Sequence, residues 1–171
     1  MSGSDKPSWP SVERRRRPER RSSRDRRSEA GWTPVPLDTE GPDAGALIAA
    51  ARAARDHARA AYSTFKVGAA IELADGSIVT GCNIENASYS LTVCAERVAL
   101  VKALSEGHSA FARIAVVADT ADPTPPCGPC RQLLWEYCGD IPVILANLQS
   151  VTGQHRLADL LPMPFDGRLL R

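Results

Sequence analysis

The sequence predicts an α/β domain in which a mixed central sheet is covered by helices on both faces. Three observations carry this expectation. Apolar strand-like segments interleave with segments of helical periodicity in the order α-β-β-α-β-α-β, a turn sequence joins the first two strands, and one helix is apolar almost all round. Strands that alternate with helices favour parallel pairing, whereas a leading hairpin is antiparallel, so the two kinds of pairing meet in one sheet.

From Asp43 onward, Leu47, Ala51, Ala54, Ala58 and Ala61 recur at helical spacing while Arg52, Arg55 and Arg59 take the opposite side, which predicts an amphipathic surface helix. Val67, Ala69, Ile71 and Leu73 then alternate as in a strand. Ala74-Asp75-Gly76 supplies turn chemistry, and residues 77–82 return as the second arm of a hairpin. Residues 94–106 follow as a helix, nearly apolar between Val98 and Leu104 except for Lys102 and closed by Gly107; such a helix is expected to be mostly buried. Residues 114–118 are a short apolar strand, 129–138 a helix stopped by Gly139, and 143–146 a second apolar strand. A short tail of structure ends the chain, and there is no internal repeat.

The 171 residues suit one domain, with 43% hydrophobic and 24% charged residues. The formal net charge of +1 hides two unlike parts. Residues 1–30 hold ten of the 21 Lys and Arg against five acids, a net of +5, whereas residues 31–171 hold 11 bases against 15 acids, a net of −4. Residues 1–43, rich in Arg, Ser, Pro, Glu and Asp, are expected to form a disordered tail, because they cannot bury enough apolar surface to offset ordering entropy. The run Arg14-Arg15-Arg16-Arg17 is either a solvated charge cluster or an electrostatic tether to a polyanion, and its partner is open. The mildly acidic remainder, residues 31–171, which contains the expected folded domain over residues 44–171, is unsuited to holding polyphosphate tightly. No run approaches 18 apolar residues and the N-terminus lacks an apolar signal region, so neither a membrane span nor export is expected, and the cytoplasm is the expected compartment. Five cysteines in such a chain suggest free or metal-bound thiols rather than a disulfide framework.

Three of those cysteines open helices. Cys127 and Cys130 form an i, i+3 pair in a first turn and can grasp one ion together, at a helix end that favours the thiolate. Alone, the pair equally reads as a redox dithiol or half of a structural zinc site. Cys94-Ala95-Glu96 shifts the balance. If its helix end converges on the same ion, three thiolates and one open position describe a catalytic zinc site, since structural sites fill all four positions. Cys138 lies roughly 12 Å from Cys130 along a helix and His108 roughly 21 Å from Cys94, so neither reaches the site easily; local geometry leaves Cys82, His57 and His155 open as a fourth ligand, but nothing in their spacing recommends them. Cys82 and Cys138 are expected to be buried structural thiols. Zinc bound by three thiolates is formally anionic, and Arg97 could offset this by donating to the ligand sulfurs. Its bland alternative is a surface ion pair. Glu96 is either a carboxylate at a helix N-terminus or a proton shuttle beside the metal.

These residues resemble a known family. Cys94-Ala95-Glu96-Arg97 with Pro126-Cys127-Gly128-Pro129-Cys130 matches the zinc deaminase signature in its all-cysteine form. Tyr62-Ser63-Thr64-Phe65-Lys66-Val67-Gly68-Ala69-Ala70, Gly81-Cys82-Asn83-Ile84-Glu85-Asn86-Ala87-Ser88-Tyr89 and Leu160-Leu161-Pro162-Met163-Pro164-Phe165 add three blocks similar to the small homotetrameric cytidine deaminases. The resemblance covers about residues 44–170. It implies a three-layer α/β/α cytidine deaminase-like fold, zinc on Cys94, Cys127 and Cys130, and Glu96 moving protons between water, N3 of cytosine and the departing amine. It further implies that Asn83 and Glu85 hydrogen-bond the ribose and base region, that Phe65 packs on the nucleoside, that the Ala95 backbone meets the pyrimidine, and that Phe165 closes the site of a neighbouring subunit. Pro129 stands where the family often has Ala, which a first helical turn tolerates. The implied reaction is deamination of cytidine and 2′-deoxycytidine in pyrimidine salvage, with release of ammonia. A blasticidin-S-type deaminase, a non-catalytic zinc protein with a nucleic-acid-tethering tail, and a polynucleotide-editing deaminase are the alternatives. Asn83-Ile84-Glu85-Asn86 argues against the first, Glu96 and an open metal position against the second, and an acidic core with few aromatics against the third.

Overall fold

The structure is a computed structural model in which residues 44–165 and 167–170 are described; the expected tail over residues 1–43 lies outside them. The elements run α1 (Ala44–Asp56), β1 (Val67–Leu73), β2 (Ile78–Cys82), a 3-10 turn (Tyr89–Leu91), α2 (Ala95–Ser105), β3 (Phe111–Ala118), α3 (Gly128–Cys138), β4 (Pro142–Ala146), β5 (Val151–Arg156), α4 (Leu157–Leu160) and a closing 3-10 turn (Gly167–Leu170). The sheet order is β2-β1-β3-β4-β5. β1 is antiparallel to both β2 and β3, β3 and β4 are parallel, and β5 returns antiparallel to β4. The mixed sheet expected from the hairpin and the βαβ step is therefore present.

The hairpin turn closes because Gly76 adopts φ +85° and Asp75 accepts the Ser77 N–H at 2.9 Å, while Leu73 N donates to Ser77 O at 2.8 Å. β1 is buried along its whole length rather than on one face. Val67, Ala69, Ile71 and Leu73 join α2, α3 and the strand residues Val116, Val143 and Leu145 in one core. Ala70, Ala115, Val117 and Ile144 meet Leu47, Ile48 and Ala51 of α1 on the other face, completing three layers. Gly68 permits the α1 contact, since a Cβ there would stand 2.0 Å from Ala51 O.

Two expectations are corrected. α2 is not mostly buried: Ala95, Glu96, Ala99, Leu100 and Ala103 face the sheet, but Val101 is 53% exposed. One side of a helix is all that a sheet can cover, so an apolar circumference leaves an apolar outer face. The short closing tail of structure contains a fifth strand and α4. β5 reads Val-Thr-Gly-Gln-His-Arg and owes its form to pairing with β4, not to apolar alternation. Its exit is fastened by Asp140, which accepts the Ala158 N–H at 2.9 Å and pairs with Arg156 at 3.1 Å.

Candidate active site

The helices α2 and α3 begin beside each other, and their cap residues are the first two candidate ligands. Cys94 (φ −71°, ψ 155°) and Cys127 (φ −67°, ψ 165°) are both extended N-cap residues, so each side chain lies off its helix end. Cys127 thus stands just before the first turn of α3, with Cys130 three residues on inside it; an N-cap side chain faces that third position. The sulfurs of Cys127 and Cys130 are 3.4 Å apart, those of Cys94 and Cys127 3.7 Å, and all three lie within 4.8 Å of one another. Tetrahedral zinc with Zn–S bonds of about 2.3 Å needs sulfurs about 3.8 Å apart, so this donor set fits zinc. Cys130 is buried, Cys94 half-buried and Cys127 exposed, which leaves one side of the cluster open. Cys82 and Cys138 are outside it, and both are half-buried rather than buried as expected; Cys138 packs against the core, where burial pushes its thiol up to about 12.

The close approach of β2 sets where α2 starts. A Cβ at Gly81 would stand 2.4 Å from Ala99 N and 2.6 Å from Ala95 O, atoms that the helical pattern pairs in the first turn of α2. The Ala95 carbonyl is therefore committed to the helix, while its N–H, at the first helical position, lies outside the ladder.

Charge at the site follows from burial and contact. A hydrogen bond from Cys130 and the Arg97 guanidinium lower Cys94 to about 5, and the same bond with burial pushes the Cys130 thiol up. Arg97 Nη2 donates to Thr92 O at 2.8 Å and lies 3.8 Å from the Cys94 sulfur. The side chain is thus anchored against the Cys94 sulfur rather than in a surface ion pair, and its buried Nε finds no partner among the described residues. Glu96, 5% exposed, has its carboxyl pushed up, chiefly by burial.

Asn83, Glu85 and Phe65 form a second unit. Asn83 is buried; its Oδ1 accepts the Val67 N–H at 2.8 Å and its Nδ2 donates to Phe65 O at 2.8 Å. Glu85 accepts from Tyr62 N at 2.8 Å, Ser63 N at 3.1 Å and the Ser63 hydroxyl, and that hydroxyl holds its carboxyl below the usual range. Together they brace a turn in which Thr64 takes φ +58° and Phe65 stays exposed. Ile84, between them, exchanges backbone hydrogen bonds with Val93 at 2.9 and 3.0 Å, which lays this unit beside the residue preceding Cys94. Phe165 lies near α3, its carbonyl taking a 2.5 Å bond from Gln132 Nε2 and its side chain 57% exposed. The Thr92 carbonyl that holds Arg97 leaves no trace in the sequence, whereas Gly81, a glycine within a strand, carries a signal of close backbone approach.

Comparison with known proteins places this arrangement in a family. The model of the cytidine and deoxycytidylate deaminase zinc-binding region matches residues 43–145. A cytidine deaminase of Sporosarcina psychrophila is 50% identical over 124 residues, covering 72% of this chain and 91% of that protein. The crystal structure of a cytidine deaminase from Burkholderia pseudomallei superposes with a TM-score of 0.69 at 50% identity, covering 72% of this chain and 99% of the other. A blasticidin-S deaminase of Bacillus cereus is more distant, at 32% identity over 58% of this chain and 76% of its own. The match spans both the cysteine-bearing helix ends and the sheet that positions them, and the chain belongs to the cytidine and deoxycytidylate deaminase zinc-binding family.

Proposed function

We propose that the protein is a cytidine deaminase that converts cytidine and 2′-deoxycytidine, with water, to uridine and 2′-deoxyuridine, releasing ammonia. The observation that carries this reading is the juxtaposition of three thiols within 4.8 Å at two helix N-termini with a buried carboxyl two residues after the first of them. When bound by Cys94, Cys127 and Cys130, zinc supplies the Lewis acidity that activates water at neutral pH. Glu96 takes a proton from the attacking water, passes it to N3 as oxygen adds to C4, and delivers a second to the departing amine. Burial raises the carboxyl and so favours its protonated form, which suits its turn as the acid. Arg97 draws charge from Cys94 and offsets the anionic thiolate set.

Asn83 and Glu85 can read the ribose without releasing their turn. An amide nitrogen has two donors and a carboxylate about four acceptor sites, so Asn83 keeps one N–H and Glu85 one lone pair beyond the bonds described above. Phe65 supplies an apolar face for the nucleoside, and the Ala95 N–H a donor to the pyrimidine. The exposed apolar residues Val101, Tyr89, Leu91, Met163 and Phe165 support a homotetramer in which Phe165 closes a neighbouring site. Among the described residues no helix is long and apolar enough to cross a membrane. A cytoplasmic enzyme of pyrimidine salvage fits a free nucleoside as substrate.

Purified protein is expected to hold about one zinc per chain and to convert cytidine to uridine, followed by loss of cytidine absorbance and by ammonia release. Full zinc loading with no turnover of cytidine or deoxycytidine overturns the proposal. Removal of residues 1–43 is expected to leave kcat unchanged, since none of the proposed site residues lies there; a large fall in kcat with the fold intact by circular dichroism contradicts this.

A further inference from the structure

We infer that Arg131 is a positioning residue that ties the metal-ligand loop to the chain end bearing Phe165. The inference rests on the proposed function, in which Cys127 and Cys130 hold zinc and Phe165 closes a nucleoside site. The loop entering α3 reads Pro123-Thr124-Pro125-Pro126-Cys127-Gly128-Pro129, four prolines in seven residues. Prolines stiffen the backbone but bring no N–H, so such a loop has few donors with which to bind itself to its surroundings. Arg131 provides them from inside the helix. Its Nε donates to Pro126 O, the carbonyl immediately before Cys127, at 2.7 Å, and its backbone N donates to Cys127 O at 3.0 Å.

The other arm of the same guanidinium reaches across to the chain end. Nη1 of Arg131 donates to Leu160 O at 2.7 Å, at the last residue of α4, where helical carbonyls lack intrahelical partners. Five residues further on, the Phe165 carbonyl takes its bond from Gln132, the next residue of α3. Consecutive side chains of α3 thus hold both ends of the segment 160–165, and one of them also grips the loop before Cys127. A planar fork with several fixed donors can serve two carbonyls at once, whereas a lysine ammonium has a single nitrogen. The two residues consequently divide the work: Arg131 acts on metal retention and on the closing segment, Gln132 on the closing segment alone.

The test uses the full chain with zinc bound, as Arg131→Gln, Arg131→Lys and Gln132→Ala. Three readouts are taken: the rate of zinc transfer to a chromophoric chelator, hydrogen exchange of the peptide covering residues 157–170, and kcat and KM for cytidine. Arg131→Gln is expected to release zinc roughly 10–100-fold faster, the range seen for outer partners of metal ligands, to exchange faster at residues 157–170, and to raise KM more than it lowers kcat. Arg131→Lys, which keeps the charge, is expected to recover only part of both effects. Gln132→Ala is expected to raise exchange and KM with zinc release at the wild-type rate. Wild-type zinc release and exchange in Arg131→Gln overturn the inference, as does the same acceleration of zinc release in Gln132→Ala. Should Arg131→Gln fail to fold, Arg131→Lys decides on the same readouts. A wild-type protein that holds zinc but leaves cytidine untouched refutes the functional reading alone, because zinc transfer and exchange still report on Arg131.

Discussion

Glu96→Gln retains its zinc and loses nearly all turnover of cytidine. The substitution preserves the shape of a side chain that is 5% exposed at the second residue of α2, so the helix end and the thiols beside it keep their packing. What disappears is the ability to accept and return protons, since an amide titrates at neither end of the cycle. A positioned acid–base group contributes about 10²–10⁴ in rate, and a loss of that order in kcat is expected. Metal content by atomic absorption separates this from a damaged site. A variant with full zinc and more than about a tenth of the wild-type kcat removes Glu96 from the proton-transfer role.

Gly81→Ala lowers zinc content and activity through backbone contact rather than through chemistry. The added Cβ would stand 2.4 Å from Ala99 N and 2.6 Å from Ala95 O, with the Val98 Cβ at 2.9 Å. Backbone atoms of a first helical turn cannot rotate aside, so α2 must retreat from β2 and carry Cys94, Glu96 and Arg97 away from Cys127 and Cys130. Overpacking of this kind costs about 1–3 kcal/mol, and Tm is expected to fall by roughly 2–4 °C for each of them. Gly68→Ala provides the contrast. It clashes with Ala51 O at 2.0 Å on the α1 face of the same hairpin, so it lowers Tm while the folded protein keeps its full zinc. Wild-type zinc content and turnover in Gly81→Ala show that β2 does not set the position of the site.

The elements that read well in the sequence are those whose periodicity reports burial directly. The hairpin arms and the apolar strands β3 and β4 stand where the pattern put them, with ends moved by up to three residues, whereas α1 stops at Asp56, short of Ala58, Arg59 and Ala61, because Arg59 leaves the helix to pair with the strand-like segment at Ile84. β5 escaped because an edge strand needs a partner rather than an apolar face, and Thr152-Gly153-Gln154-His155-Arg156 shows no alternation that a sequence reader can weigh. α2 departs in the opposite direction: its apolar circumference predicts burial, although one side of it lies exposed at Val101. Asn83 and Glu85 were legible as polar residues in an extended segment, but their bonds to the turn over residues 62–67 involve partners 16 to 23 positions away and left no local trace.

The chemistry of the site was contained in the chain itself. Cys94-Ala95-Glu96 with Cys127-Gly128-Pro129-Cys130 offers the candidate ligands and a candidate acid–base group within two short stretches, and the family resemblance is what implies their roles. Whether those stretches meet is a different matter, since 33 residues separate Cys94 from Cys127 and no spacing rule spans that gap. It took the packed sheet, with Gly81 in close approach to α2 and Arg131 bonded to the carbonyl of Pro126, to bring three sulfurs within 4.8 Å of one another. The physical reason is range: side-chain chemistry is a property of single residues, whereas a distance of a few ångströms between remote helix ends is a property of packing, which the whole core determines together.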